Sequence, residues 1–257
     1  MKKTELDKQK ILHNLHRFYT SISIFDEVTS TNTLLKQKEN LKEGDIFIAN
    51  AQTSGKGRNG KFFESNADCG IYLSFCVQPD TSLNFLHLSA YAALAVYDSI
   101  VDLYEIQSSI KWMNDIYIHH KKVCGILCES NFIGQRLSSV IIGIGVNMYT
   151  QQFRDDLQDF VGSIENFSDK HVDRNMMATT ILNNFQKYYQ ETSPKIALAH
   201  YKRHSSVLHN HIIIDGEALS NVYVEDISDD FELYVRLPDN THRTLRSGSI
   251  HIQKKDF

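Results

Sequence analysis

Ile110-Lys111-Trp112-Met113-Asn114-Asp115 and, a little further on, Lys122-Val123-Cys124-Gly125-Ile126-Leu127 set two lysines at the mouths of two apolar strands. A lysine is rarely buried without a partner, and an anionic ligand is one such partner. For either lysine taken alone, a solvated strand edge is the plainer alternative. Strands are expected over 109–118 and 122–129, around a turn at His119-His120-Lys121, with a further apolar strand over 137–146 completing a mixed sheet.

Upstream of this hairpin, 71–77 reads as a strand stopped by Pro79 and Asp80. The longest helix follows over 83–103, and its small residues Ala90, Ala92, Ala93 and Ala95 would let it lie close against a sheet. Earlier still, a helix over 5–19 carries Leu6, Ile11, Leu12, Leu15, Phe18 and Tyr19 at helical spacing, and a short strand spans 22–25. Ser30 or Thr31 caps a helix over 32–38, Gly44 supplies a turn, and a strand over 45–51 enters a glycine-rich loop. Downstream, helices are expected over 176–189 and 196–204, separated by Pro194. From about 209 the texture changes to short alternating strands over 211–215, 221–226, 231–237, 241–246 and 249–253. Asp215-Gly216 and Pro238-Asp239-Asn240 punctuate them, the pattern of a small β-barrel.

A chain of 257 residues can bury a sizeable core in one or two domains. Its net charge of -4 gives no global basic field of the kind that coats nucleic acid or an anionic membrane. The polar, lysine-rich start does not read as a secretory signal, and no apolar run reaches the roughly 18 residues needed to span a bilayer. Cys69, Cys76, Cys124 and Cys128 lie in apolar, strand-like segments, which suits reduced buried thiols in the cytoplasm. Cys124 and Cys128 would share a strand face but lack a second ligand pair, and His200/His204 and His209/His211 have no acidic or cysteine partner nearby in sequence, so no metal site is assigned. The sequon Asn166-Phe167-Ser168 is read as chance in the absence of a secretory route.

Three more segments bear on the lysines. The loop Gln52-Thr53-Ser54-Gly55-Lys56-Gly57-Arg58-Asn59-Gly60-Lys61 satisfies the glycine and lysine spacing of a phosphate-binding P-loop. Phe62, however, stands where a magnesium-binding Ser or Thr should be, and no helix evidently follows, so that reading is set aside. What remains is a loop whose glycines let the backbone pass tightly over a ligand while Lys56, Arg58 and Lys61 meet negative charge, or else a basic surface turn. Ser30-Thr31-Asn32 is by itself a helix cap. Gly143-Ile144-Gly145-Val146-Asn147-Met148 is by itself a strand bend.

Taken together, these segments resemble those of the biotin-protein ligases, over roughly residues 22–205 and more loosely beyond. The resemblance implies an α/β (α+β) fold: a mixed-sheet biotin/lipoate ligase-like catalytic domain over 1–208, then a small SH3-like β-barrel over 209–257. It implies ATP-dependent conversion of biotin to biotinyl-5′-AMP, with magnesium neutralising the phosphates, and transfer of biotin to a lysine of a biotin carboxyl carrier protein. Biotin would meet Ser30, Thr31, Asn32, Gln52, Gly55, Lys56, Gly57, Arg58 and Lys122. ATP would meet Arg58, Lys111, Lys122, Asn147 and Phe160, the last as a substitute for the tryptophan that covers adenine in relatives. Lys122, in the lysine-x-x-glycine motif, and Arg58 would act on the reacting centre. Lys56 stands where the family usually has arginine, Met113 where it often has proline, and Gly248-Ser249 where it usually has a glycine and glutamate pair. Trp112 is a core or pocket-wall aromatic, Asn114 and Asp115 form a turn or help position magnesium, and Asp173-Arg174-Asn175 caps a helix. The resemblance further implies a cytoplasmic enzyme. About 20 residues before the first core strand are too few for the DNA-binding domain of bifunctional relatives, since an independent domain takes about 50, so a monofunctional form with no DNA or membrane partner is expected. Relatives often dimerise, which leaves a homodimer open. A lipoate or octanoate transferase on the same fold and a non-catalytic sensor are the remaining alternatives.

Overall fold

The computed structural model describes residues 4–79, 83–134, 136–215, 217 and 219–252. A seven-stranded sheet forms its centre, built from β1 (Ser21–Val28), β2 (Asp45–Gln52), β3 (Gly70–Val77), β4 (Ser109–Lys111), β5 (Asp115–Ile118), β6 (Lys121–Ile133) and β7 (Arg136–Asn147). The spatial order is β1-β2-β3-β7-β6-β5-β4, with β1 and β2 parallel and every other pair antiparallel.

The period-two alternation of strands decides what each face of this sheet does. Leu73, Phe75, Cys124, Ile126, Cys128, Ile142, Ile144 and Val146 point to one face and join the main core. There α3 (Phe85–Tyr104) and α4 (Arg174–Gln186) cover them, and the alanines of α3 are wholly buried as their size predicts. The intervening residues Ser74, Gly125, Leu127, Glu129, Gly143, Gly145 and Asn147 face the other way, and all but Leu127 are small or polar. Among the described helices, the short α2 (Thr31–Lys36) covers part of that face, over a separate patch of Leu35, Phe47, Cys76 and Ile141. The rest is left for a site. All four cysteines are buried and none is in a disulfide, as expected.

Two elements differ from the expected ones. The segment 109–118 is not one strand but the hairpin β4-β5, with Lys111 paired to Asp115. The reversal occurs because Trp112 turns inward and donates from Nε1 to the Phe231 carbonyl at 2.8 Å; the Trp112–Met113 peptide is cis. The helix over 5–19 is only α1 (Lys8–Asn14), capped by the Asp7 carboxylate on the Gln9 and Lys10 amides. After it the chain extends, and Phe18 and Tyr19 still reach the core, where the Tyr19 hydroxyl donates to the Leu182 carbonyl. The remaining helices begin or end within a few residues of expectation. Asp173 caps α4 as expected, and a π-helical turn, Lys187–Glu191, follows it before α5 (Pro194–His204).

The C-terminal residues form a five-stranded antiparallel sheet from β8 (His211–Ile214), β9 (Leu219–Ile227), β10 (Leu233–Arg236), β11 (His242–Leu245) and β12 (Ile250–Ile252), in the order β11-β10-β9-β8-β12. Gly216 and Gln253, at the ends of two expected features, lie outside the described residues. The two sheets share one core. Phe231 meets His87, Tyr91 and Tyr201 edge to face, at 5.2, 6.1 and 5.3 Å between ring centroids. No described helix is long and apolar enough to cross a membrane.

Candidate active site

A cavity of about 280 Å³ opens on the sheet face that α2 leaves free. Its floor is the start of α2. Ser30 caps the helix on the Thr33 amide, so the capping role is met, and Thr31 and Asn32 follow in the first turn, nearly buried. Gln52, at the end of β2, accepts from the Thr31 amide at 2.8 Å and donates to the Ser65 hydroxyl at 2.8 Å, tying helix to loop. Asn32 donates to Glu129 at 2.9 Å and accepts from Ser74 at 2.5 Å. Ser30, Thr31, Asn32 and Gln52 are neutral, oriented hydrogen-bonding partners rather than charges.

The glycine-rich loop forms one wall. It doubles back as an irregular hairpin, with Lys56 bridged to Phe62 and the Phe63 amide donating to the Gly55 carbonyl at 2.8 Å. A Cβ on Gly55 would lie 2.3 Å from the Phe63 carbonyl oxygen, so this return requires glycine. Gly55 is thus a backbone support, while Lys56, Gly57, Arg58 and Lys61 line the cavity. Phe63 lies across the bare backbones of Gly125 and Gly145, where a Cβ would come within 3.3 and 2.5 Å of its ring. Gly145, read as part of a strand bend, and Gly125 of the lysine-x-x-glycine motif are therefore a seat for an aromatic ring.

Arg58 donates from Nη1 to Asn114 Oδ1 at 2.9 Å and from Nη2 to the Gly248 carbonyl at 2.6 Å. Asn59 donates to the Ser249 hydroxyl at 3.1 Å. The small sheet therefore holds the loop from above. Opposite, Lys122 forms an ion pair with Asp115 at 2.7 Å, and both line the cavity. Asp115 has a defined partner, which the sequence did not indicate. Lys111 lies 5.5 Å from the centre of the Tyr117 ring. Burial lowers the Lys111 pKa from its usual value, with Asp115 acting against that fall. Burial likewise lowers that of Arg58, which nonetheless stays protonated as any guanidinium does at neutral pH.

Asn147, at the end of β7, is 2% exposed and its Oδ1 has no hydrogen-bond partner. Phe160 stands at the cavity mouth, 67% exposed, while its backbone carbonyl accepts from the Lys122 amide. All the site residues inferred from sequence except Gly55 thus border one cavity. Sequence reasoning missed Phe63, Ser74, Asp115 as counter-ion, Glu129, and the pair Asp215 and His251 at the rim, 3.0 Å apart. It also missed the role of Arg174, wholly buried on α4 and donating to the Gly70 carbonyl and Asn50.

Residues 24–147 match the Biotin/lipoate A/B protein ligase family. The chain is 37% identical over 171 residues to the bifunctional ligase/repressor BirA of Bacillus spizizenii, covering 65% of this chain and 53% of that protein. It is 25% identical over 224 residues to the biotin–[acetyl-CoA-carboxylase] ligase of Mycobacterium tuberculosis, covering 82% of this chain and 80% of that one. The chain spans about half the length of the first BirA relatives it matches. Among solved structures, the biotin protein ligase of Aquifex aeolicus in complex with biotin and ATP superposes with a TM-score of 0.79 at 24% identity, over 91% of this chain and 100% of that one. That likeness fixes the fold, with its mixed sheet and separate C-terminal antiparallel sheet. Over residues 24–147, and with the same fold around them, the chain is similar to the Biotin/lipoate A/B protein ligase family.

Proposed function

We propose that the protein is a biotin-protein ligase that activates biotin with ATP and transfers it to a lysine of a biotin carboxyl carrier protein. The observation that carries this reading is one cavity with a neutral polar floor, at Ser30, Thr31, Asn32 and Gln52, under a cationic rim of Lys122, Arg58 and Lys111. A ureido ring suits the first and a carboxylate beside phosphates suits the second. In the reaction a biotin carboxylate oxygen attacks the α-phosphorus and pyrophosphate leaves. The carrier lysine amine then attacks the acyl carbon of the mixed anhydride, and AMP leaves. Lys122 offsets the charge that accumulates as carboxylate and phosphate approach, and Lys111 assists at the phosphates. Arg58, hydrogen-bonded to both Asn114 and Gly248, holds the loop over the intermediate.

ATP fits the residues present, because the unpartnered Asn147 oxygen is an acceptor suited to an exocyclic amine. Phe160 is near enough to the mouth to cover a base. Gly55, Lys56 and Gly57 complete the biotin side of the loop. Magnesium binds through few carboxylates plus substrate phosphates, and Asp115 offers one such carboxylate at the cavity. No described group of three or more metal-ligating side chains forms a ready cage, so the ion would enter with the nucleotide as its counter-ion. We assign catalysis to residues 1–208, with 209–257 as a second domain, in a cytoplasmic enzyme whose net charge of -4 favours neither DNA nor anionic membrane as a partner.

The deciding experiment is biotin-dependent exchange of pyrophosphate into ATP, followed by mass spectrometry of a carrier domain. Exchange with biotin and one added biotinyl group is expected. Exchange supported by octanoate or lipoate but not by biotin would favour a lipoate-type ligase on the same fold, acyl transfer from an acylated carrier without exchange the transferase alternative, and binding with neither a sensor.

A further inference from the structure

Ser74 and Glu129 do not line the cavity, yet they touch the residues that do. Asn32 donates from Nδ2 to Glu129 Oε2 at 2.9 Å and to the Leu127 carbonyl at 3.3 Å. Its Oδ1 lies 2.5 Å from Ser74 Oγ, which is itself 2.7 Å from Thr31 Oγ1. A carboxylate can only accept, so Glu129 takes the NH2 end of the Asn32 amide and turns its oxygen toward Ser74. The same oxygen occupies the space of a missing side chain at Gly143, where a Cβ would lie 2.0 Å away. An amide oxygen also can only accept, so the one Ser74 hydroxyl proton is committed to Asn32. The Thr31 hydroxyl proton then goes to Ser74 at 2.7 Å or to Gln52 Oε1 at 3.2 Å, both of which can accept it, and is committed either way.

We infer that Glu129 is a positioning residue that fixes the polarity of the cavity floor. Acting through Asn32 and Ser74, it leaves oxygen lone pairs, not protons, of Asn32 and Thr31 free to meet a ligand. Such a floor selects a ring that carries N–H donors and disfavours one that offers only acceptors. The inference rests on the biotin reading, in which that ring is the ureido group with its two N–H donors.

The test compares Glu129→Leu, which removes the acceptor at similar volume, with Glu129→Gln, which keeps a carbonyl oxygen. In pyrophosphate exchange the Leu variant should raise the biotin KM about tenfold, with kcat and the ATP KM unchanged, while the Gln variant stays within about threefold of wild type. In the ligand-free proteins, NMR should find the Asn32 side-chain amide protons protected from exchange in wild type and unprotected in Glu129→Leu. An unchanged biotin KM, a parallel rise in both KM values without rescue by Gln, or equal amide protection in the Leu variant would overturn the inference. A wild type with no biotin-dependent exchange would instead remove the biotin reading, and the amide protons would then decide the role of Glu129.

Discussion

Lys122 and Asp115 are 2.7 Å apart in the wall of the cavity, and each is only partly exposed. Replacing Lys122 by alanine therefore does two things: it deletes the charge facing the reacting carboxylate and phosphate, and it strips Asp115 of its counter-ion. The first effect should cost about a hundredfold in adenylation, the usual scale for losing one oriented electrostatic group. Pyrophosphate exchange measures it, and a thermal melt on the same sample separates the second effect. Exchange within a few fold of wild type in a folded Lys122→Ala protein would remove Lys122 from the reaction. The lysine was legible because it sits in a short motif. Asp115 as its partner was not, since only the β5-β6 pairing brings them together.

Elements are held by contacts of the same kind, and β2 gives a clear case. It opens with Asp45, 2% exposed, which meets Lys38 at 2.6 Å, the Lys42 amide at 2.8 Å and the Ser21 hydroxyl. Burial pushes the Asp45 pKa up, but Lys38, Ser21 and the Lys42 amide outweigh it, so the net position is below the ordinary 3.8. A carboxyl depressed in the folded state contributes stability above its unfolded pKa, and that contribution is lost as pH falls through the folded value. Asp45→Asn should thus be less stable than wild type in urea at pH 7, with the gap closing below about pH 4. A gap that persists unchanged at low pH would mean that the carboxylate charge is not what stabilises this corner. Strand and helix positions were read well wherever alternation or capping was clean, as at 71–77 and Asp173. The hairpin at 109–118 was missed for a physical reason: Trp112-Met113-Asn114 reverses the chain without glycine or proline. Its reversal depends on an indole reaching Phe231, 119 residues away, a contact that local pattern does not encode. Ser74 and Glu129 escaped notice likewise, because each acts from a neighbouring strand.

At the scale of the whole molecule, Phe231 joins the two sheets. It is 1% exposed, adopts a left-handed backbone with φ 60°, and packs among rings of α3 and α5. Phe231→Ala should cost about 3–5 kcal/mol, the range for a large aromatic removed from a core. Because the core is continuous, wild type should melt in a single calorimetric transition, and the variant should lose exchange activity as Gly248 ceases to hold Arg58. Two separated transitions in wild type would show that the sheets fold independently.

Two of the joints between the small sheet and the first run through main-chain oxygens: Gly248 receives Arg58, and Phe231 receives Trp112. Every residue has a carbonyl, so such joints survive almost any substitution that preserves the path of the chain. Side-chain changes that keep the path of the chain therefore leave these two joints in place. The shape match, at 24% sequence identity, covers 91% of the chain and so includes this region.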